Sequence, residues 1–295
     1  MLARTKGQKV FAVFNTIGLI LLSIVFILPV WHVAMGSISD PLKVAASSGL
    51  ILTPLGEPTL GGYRLVLNNN TIWVSYLNTI IYVVASTLIG LVLNILAAYV
   101  LSRRQLYFKS IIAFIVLFTM IFNGGLIPTF MLVRDLGMLN TRWAIIIPGC
   151  LTAYNIIIMR TSFSEIPEEL YEAARIDGAG NFRILWQIVV PVSKAIIAVI
   201  ILFYAIQQWN AWFQASIYLP AQNRALYPLQ LTLREIVLLS SENSITADAD
   251  GQDVEIYRPL IKYATIMVSV IPMMILYPFV QKYFVTGVMI GSVKG

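Results

Sequence analysis

The chain has little to do chemistry with. One histidine, His32, and one cysteine, Cys150, are all it holds of those residue types, so no Cys/His metal cluster and no internal disulfide can be assembled. No Gly-x-x-x-x-Gly-Lys phosphate loop occurs, which removes ATP binding by that device. Charge is scarce: 12% of the residues are Asp, Glu, Lys or Arg, about half the share of an ordinary soluble domain. No long apolar run carries a carboxylate near its middle, which argues against a proton-coupled carrier, whose relay needs such groups. Neither an internal repeat nor a low-complexity stretch is visible.

What is there is hydrophobic. Of 295 residues 58% are apolar or aromatic and the mean hydropathy is +0.81, the composition of a polytopic membrane protein. The net charge of +6 sits at the ends of apolar runs, where membrane orientation explains it better than nucleic acid does. The expected fold is all-α, one transmembrane domain over residues 1–295, with six spans near 11–36, 74–101, 110–133, 143–163, 184–213 and 259–284. The first run is too long for a cleaved signal core and is read as a retained span. Gly124, Gly125 and Pro128 break the third span, Pro148 and Gly149 lie near the start of the fourth, and Pro272 and Pro278 lie in the sixth. A loop covers 37–71, with a short surface helix expected within Leu42–Leu52. A second long loop, 214–257, carries six acidic residues. His32 is expected to bond a neighbouring backbone group or face an interface. Of the 20 lysines and arginines, twelve fall on the side of both termini and eight on the other. The bias, with the basic flank Arg4, Lys6 and Lys9, places both termini in the cytoplasm.

The stretch Glu165–Pro191 stands out because Glu165, Glu168, Glu169, Glu172, Arg175, Asp177 and Arg183 interrupt the hydrophobic mass. Each would cost roughly 2.5–3.5 kcal/mol at mid-bilayer, so the segment 164–183 must be an aqueous loop. Within it Pro167 suits a helix start, Glu168 and Glu169 suit the positive helix end, and Gly178 and Gly180 suit a stop. Leu170, Ala173 and Ala174, at i, i+3 and i+4, form a small apolar face suited to a partner's groove.

Glu172-Ala173-Ala174, three residues, Gly178, nine residues, Ile188, one residue, then Val190-Pro191 resembles the EAA loop of ABC importer permeases, with Val190 where leucine is usual. The resemblance implies the type I (MetI-like) permease fold and a cytoplasmic coupling helix. On it, Glu172, Ala173, Ala174, Asp177 and Gly178 would dock on an ATP-binding subunit. The terminal Gly291, Ser292, Val293 and Lys294 are similar to the tail of the carbohydrate (MalG-type) permeases, which reaches between the ATP-binding subunits. Tyr204–Leu219 mixes Trp209 and Trp212 with Gln207, Gln208 and Asn210. Aromatic faces suit sugar C–H faces and amides suit hydroxyls, so these five form a candidate substrate path; an interfacial aromatic belt explains Trp212 nearly as well. This run resembles the LplC- and YtcP-like branch, which handles oligosaccharides.

The implied protein is a multi-pass permease subunit in a bacterial cell membrane, without enzymatic activity or a cofactor of its own. ATP and Mg would sit on two partner ATP-binding subunits. A second, homologous permease and an extracellular or periplasmic solute-binding protein complete the implied importer, with no role for nucleic acid. The alternatives are a permease of the same class for an amino acid, phosphate or metal, and a membrane-embedded enzyme acting on lipid-linked sugars.

Overall fold

The computed structural model describes residues 5–238 and 251–287, and every regular element among them is helical. The chain divides into two compact units, 1–70 with 233–272, and 71–232 with 273–295.

The first unit opens with α1 (Lys6–Ser37), started by a capping box in which Thr5 N–H donates to Gln8 Oε1 and Gln8 N–H to Thr5 Oγ1. Phe11, Phe14 and Phe26 are among many large apolar residues that stay exposed along it, and only hydrocarbon or another apolar helix can cover such a surface. Asp40 caps α2 (Pro41–Ala46), accepting from Leu42 and Lys43 N–H. The surface helix expected within Leu42–Leu52 therefore starts earlier and is shorter. The rest of that segment is irregular and tied back to α1: His32 Nδ1 accepts Ile51 N–H at 2.9 Å, and Trp31 Nε1 donates to Leu52 O at 2.9 Å. His32 thus plays the structural part expected of it. At the start of α3 (Gly61–Asn68), Gly61 and Gly62 admit Tyr257 and Leu260 so closely that a Cβ on either would clash.

The second unit is built around α4 (Asn70–Ser102), which continues from the first. Ser75, Asn78, Thr79, Tyr82, Ser86, Gly90 and Asn94 mark one buried stripe along it. Its first half holds the segment expected as an outer loop. Asn78 Nδ2 donates to Ala225 O at 2.7 Å, Tyr82 OH to Leu226 O at 2.7 Å, Leu229 N–H to Thr79 Oγ1 at 2.8 Å, and Ser75 pairs with Thr232 at 2.7 Å. Residues 213–238 are consequently not an open loop but largely helical, and Tyr218, Leu219, Tyr227 and Leu231 join the core of Tyr82, Ile145 and Cys150. Apolar side chains spaced along this stretch give it a face to bury. Residues 239–250 of the same expected loop lie outside the described residues.

Among the described residues, three helices are single rods long and apolar enough to cross a bilayer: Gly7–Ser37, Asn70–Ser102 and Ile256–Ile275. The last is part of the helix Gly251–Gly287, which holds Pro272 and Pro278. Two bent pairs bring the total to five. α5 (Lys109–Ile121) and α6 (Leu126–Asp135) meet at 110° across Gly124–Gly125, where Gly125 has φ +93°. Residues 110–133 are therefore not one straight span. The expected fourth span, 143–163, is a four-residue helix α7 (Trp143–Ile146), an irregular stretch through Pro148 and Gly149, and α8 (Ala153–Ser164). The second bent pair, Asn181–Val192 with Lys194–Trp209, turns by 85°. A π turn, Leu185–Val189, precedes that bend, because Pro191 can neither donate to the carbonyl four residues back nor clear it.

Bending helices inside a membrane frees carbonyls, and this unit satisfies them with side chains. Tyr204 OH donates to Cys150 O at 2.7 Å in the irregular stretch, and Asn94 Nδ2 donates to Gly90 O at 2.8 Å and to the Tyr204 hydroxyl. Gly90 makes room: a Cβ there would stand 2.5 Å from Cys150 O and 2.8 Å from Tyr204 Cζ. Gly90→Ala is expected to cost about 1–3 kcal/mol by overpacking, seen as a lowered unfolding midpoint of the detergent-solubilised chain. Gly18→Ala, in open space on α1, is expected to leave that midpoint unchanged or higher.

Candidate functional site

The charged stretch folds as α9 (Glu168–Ile176). Pro167 precedes it, Glu168 and Glu169 occupy its first turn and Arg175 its last, each charge favourably placed against the helix dipole. Its end is a Schellman turn: Gly178 N–H donates to Arg175 O at 3.0 Å and Ala179 N–H to Ala174 O at 2.9 Å, with Gly178 at φ +77°. A residue with a Cβ resists that backbone, so the glycine expected to stop the helix does so for a steric reason.

One face of α9 anchors it to its own chain. Tyr171 is 1% exposed and Ala174 is 6% exposed, and both belong to a core with Ile95 and Tyr99 of α4, Met159 and Phe163 of α8, and Leu185, Ile200 and Tyr204 further on. The Arg103 guanidinium, just past α4, lies 3.6 Å from the centroid of the Tyr171 ring. Burial raises the Tyr171 phenol above its usual pKa, with the Arg103 charge working against the shift. The phenol is therefore neutral near pH 7.

The small apolar face expected to dock is divided: Ala174 is buried against the chain's own core, whereas Leu170 and Ala173 beside it are exposed. Ala174 follows Tyr171 by three residues, and that aromatic ring sets which side turns inward. Glu172, Ala173, Asp177 and Gly178 are all exposed, as are Leu170 and Ile176, the last at 86%. No atom stands within 4 Å of where a Gly178 Cβ would be.

The candidate substrate path divides as well. Gln207 and Asn210 are exposed, and Trp209 and Trp212 are half-buried. Gln208 is 6% exposed and turns its amide toward Ile145 O at a long 3.5 Å, so it faces the core. Asn210 Nδ2 donates to Ile206 O in its own helix at 2.9 Å, and Trp209 meets Tyr76 edge-on at 6.0 Å. Gln207 and Asn210 do not bond one another in any contact seen. Gly291, Ser292, Val293 and Lys294 lie outside the described residues.

The sequence reading overlooked Arg103, Tyr171 and the α4 stripe. A visible signal existed for the last: small and polar residues recurring every three or four positions in an apolar span mark a packing face.

A helical chain with bent apolar spans and an aqueous helix anchored to two of them has the build of a membrane transport subunit. Comparison with known proteins fixes the family. The family described as "Binding-protein-dependent transport system inner membrane component" matches residues 95–290, and the chain belongs to it. It is a permease subunit rather than an enzyme, and such subunits work with a partner permease, an ATPase and a solute-binding protein. Among its relatives, the polygalacturonan/rhamnogalacturonan transport system permease protein YtcP of Bacillus subtilis is 39% identical, over 94% of this chain and 96% of that protein. Protein LplC of the same organism is 35% identical over 99% and 97%. A solved bacterial ABC transporter involved in import of the acidic polysaccharide alginate contains a chain that superposes with a TM-score of 0.84, at 32% identity, over 96% of this chain and all of that one.

Tyr171→Ala is expected to destabilise the chain by about 3–5 kcal/mol, because it empties a buried aromatic site. Tyr171→Phe keeps the ring beneath Arg103 and should stay within about 1 kcal/mol, since the hydroxyl has no hydrogen-bond partner in the structure. Thermal unfolding in detergent measures both.

Proposed function

We propose that the chain is one of two membrane subunits of an ABC importer that brings an oligosaccharide into the cytoplasm, and that α9 is its mechanical link to the ATPase. The observation that carries the reading is the two-sided character of α9. Tyr171 and Ala174 fix one side to the core, while Glu172, Ala173, Ile176 and Asp177 stand free on the other. A partner that grips the free side moves α4, α8 and the helix after the π turn together, because all three contribute to the one core that holds Tyr171 and Ala174. That suits rigid-body rocking between two states, driven by the partner's different affinity for each.

In this reading both termini and α9 are cytoplasmic, the six expected spans include the irregular 143–163 segment as one crossing, and two ATP-binding subunits supply ATP and Mg. An external solute-binding protein delivers the cargo. The names of the relatives, which include a polygalacturonan/rhamnogalacturonan permease and a diacetylchitobiose uptake permease from Streptomyces coelicolor, support a sugar cargo. Gln207, Asn210, Trp209 and Trp212 remain the candidate sugar contacts, and Gln208 supports them from the core.

Two experiments test this. Ala173→Trp and Glu172→Arg change only exposed positions. Each is expected to cut capture of the ATP-binding subunit, and uptake of labelled oligosaccharide, by about tenfold or more, with the unfolding midpoint kept. Undiminished uptake in both variants would overturn the docking role. For orientation, Ile176→Cys should react with a membrane-impermeant thiol reagent only in inside-out vesicles. The native Cys150 is buried and should stay silent. Labelling of Ile176→Cys in intact cells would reverse the topology.

A further inference from the structure

A pocket of about 330 Å³ lies between the end of α4 and α9. Three guanidinium groups line it, those of Arg103, Arg104 and Arg175, against the single carboxylate of Glu168. Among the described residues none of these arginines has a carboxylate within ion-pair distance. Arg103 is held in place: its Nε and Nη2 donate to Ser102 Oγ at 3.2 and 3.1 Å, and its face rests on Tyr171. Its Nη1 is shielded from solvent and has no acceptor. Lys109 Nζ, donating to Ser102 O and Arg103 O at 3.4 and 3.0 Å, adds another cation to the same turn. The result is a fixed positive field that Glu168, the one carboxylate lining the pocket, only partly offsets.

Apart from Gln105 and Asn181, the remaining wall is apolar or aromatic. Leu96, Val100 and Phe182 line it, and Val100 and Phe182 are largely exposed. Leu96 and Val100 belong to the last turns of a helix apolar enough to cross a bilayer. The apolar wall therefore continues from the charged turn into the depth that hydrocarbon occupies. A free inorganic anion would use only the charged half. An amphiphile with an anionic head and an acyl chain uses both.

We propose that this pocket holds the phosphate of an anionic phospholipid between Arg103, Arg104 and Arg175, with an acyl chain along Leu96 and Val100. The exposed docking positions Glu172, Ala173 and Ile176 line no part of it, so the site stands apart from the ATPase reading. A bound lipid would bridge the end of α4 to the first and last turns of α9, along the edge between its anchored face and its exposed one.

The test is native mass spectrometry of the purified full chain in detergent, titrated with phosphatidylglycerol or phosphatidylcholine. Phosphatidylglycerol is expected to be retained preferentially. Arg104→Gln and Arg175→Gln, at exposed positions that should leave folding intact, are each expected to weaken that retention about fivefold. Glu168→Gln should strengthen it, and Arg183→Gln, outside the pocket, should leave it unchanged. Equal retention of the two lipids would overturn the proposal. So would an equal loss in Arg183→Gln, which would mark diffuse charge attraction. Release of the lipid by millimolar inorganic phosphate would instead assign the pocket to a free anion and reject the lipid.

Discussion

A backbone carbonyl inside a membrane has no water to turn to, and this constraint shapes the larger unit of the protein. The chain bends or interrupts its helices at 122–125, 147–152 and 193. Each interruption costs hydrogen bonds that a straight helix would keep. Around the middle one the compensation is built from side chains: Tyr204 reaches Cys150 O, Asn94 supports the Tyr204 hydroxyl, and Gly90 leaves the space for both. The same arrangement fixes the orientation of the helix Lys194–Trp209, and with it which of the amides near its end faces outward.

The aqueous helix depends on that core in turn. Tyr171 and Ala174 sit in one cluster with Tyr99, Ile200 and Tyr204. A displacement of α9 is therefore not absorbed in a flexible loop, because well-packed side chains transmit strain rather than yielding to it. Arg103 adds a second tie, its guanidinium stacked on the ring that plugs the core. The pocket beside it is a consequence: stacking holds the charge in place but supplies no counter-ion.

Much of the site could be read from the residues in order. The charged stretch reads as a helix with a stop at glycine 178, and the structure has a helix over Glu168–Ile176 ended by Gly178 at φ +77°. The identity of the inward face could not be read that way. Leu170, Ala173 and Ala174 suggest one surface, whereas the single large aromatic at 171 decides the rotation of the helix about its axis. Burying a tyrosine gains far more than burying an alanine, and only the presence of a hole of the right shape between α4 and α8 shows where the ring goes. The inward turn of Gln208 is set in the same way, by a partner, Ile145 O, that lies 63 residues away.

Composition and the long apolar runs decided the class of protein without any structure, since a chain this hydrophobic can satisfy its backbone in lipid only as helices. The spacing from Glu172 to Pro191 decided the family. What only the folded chain could decide was how those helices are cut. Proline and glycine state that a helix can break, but the angle depends on which distant side chains take up the freed carbonyls. Those contacts, between residues 50 to 150 positions apart, exist only once the chain has closed on itself.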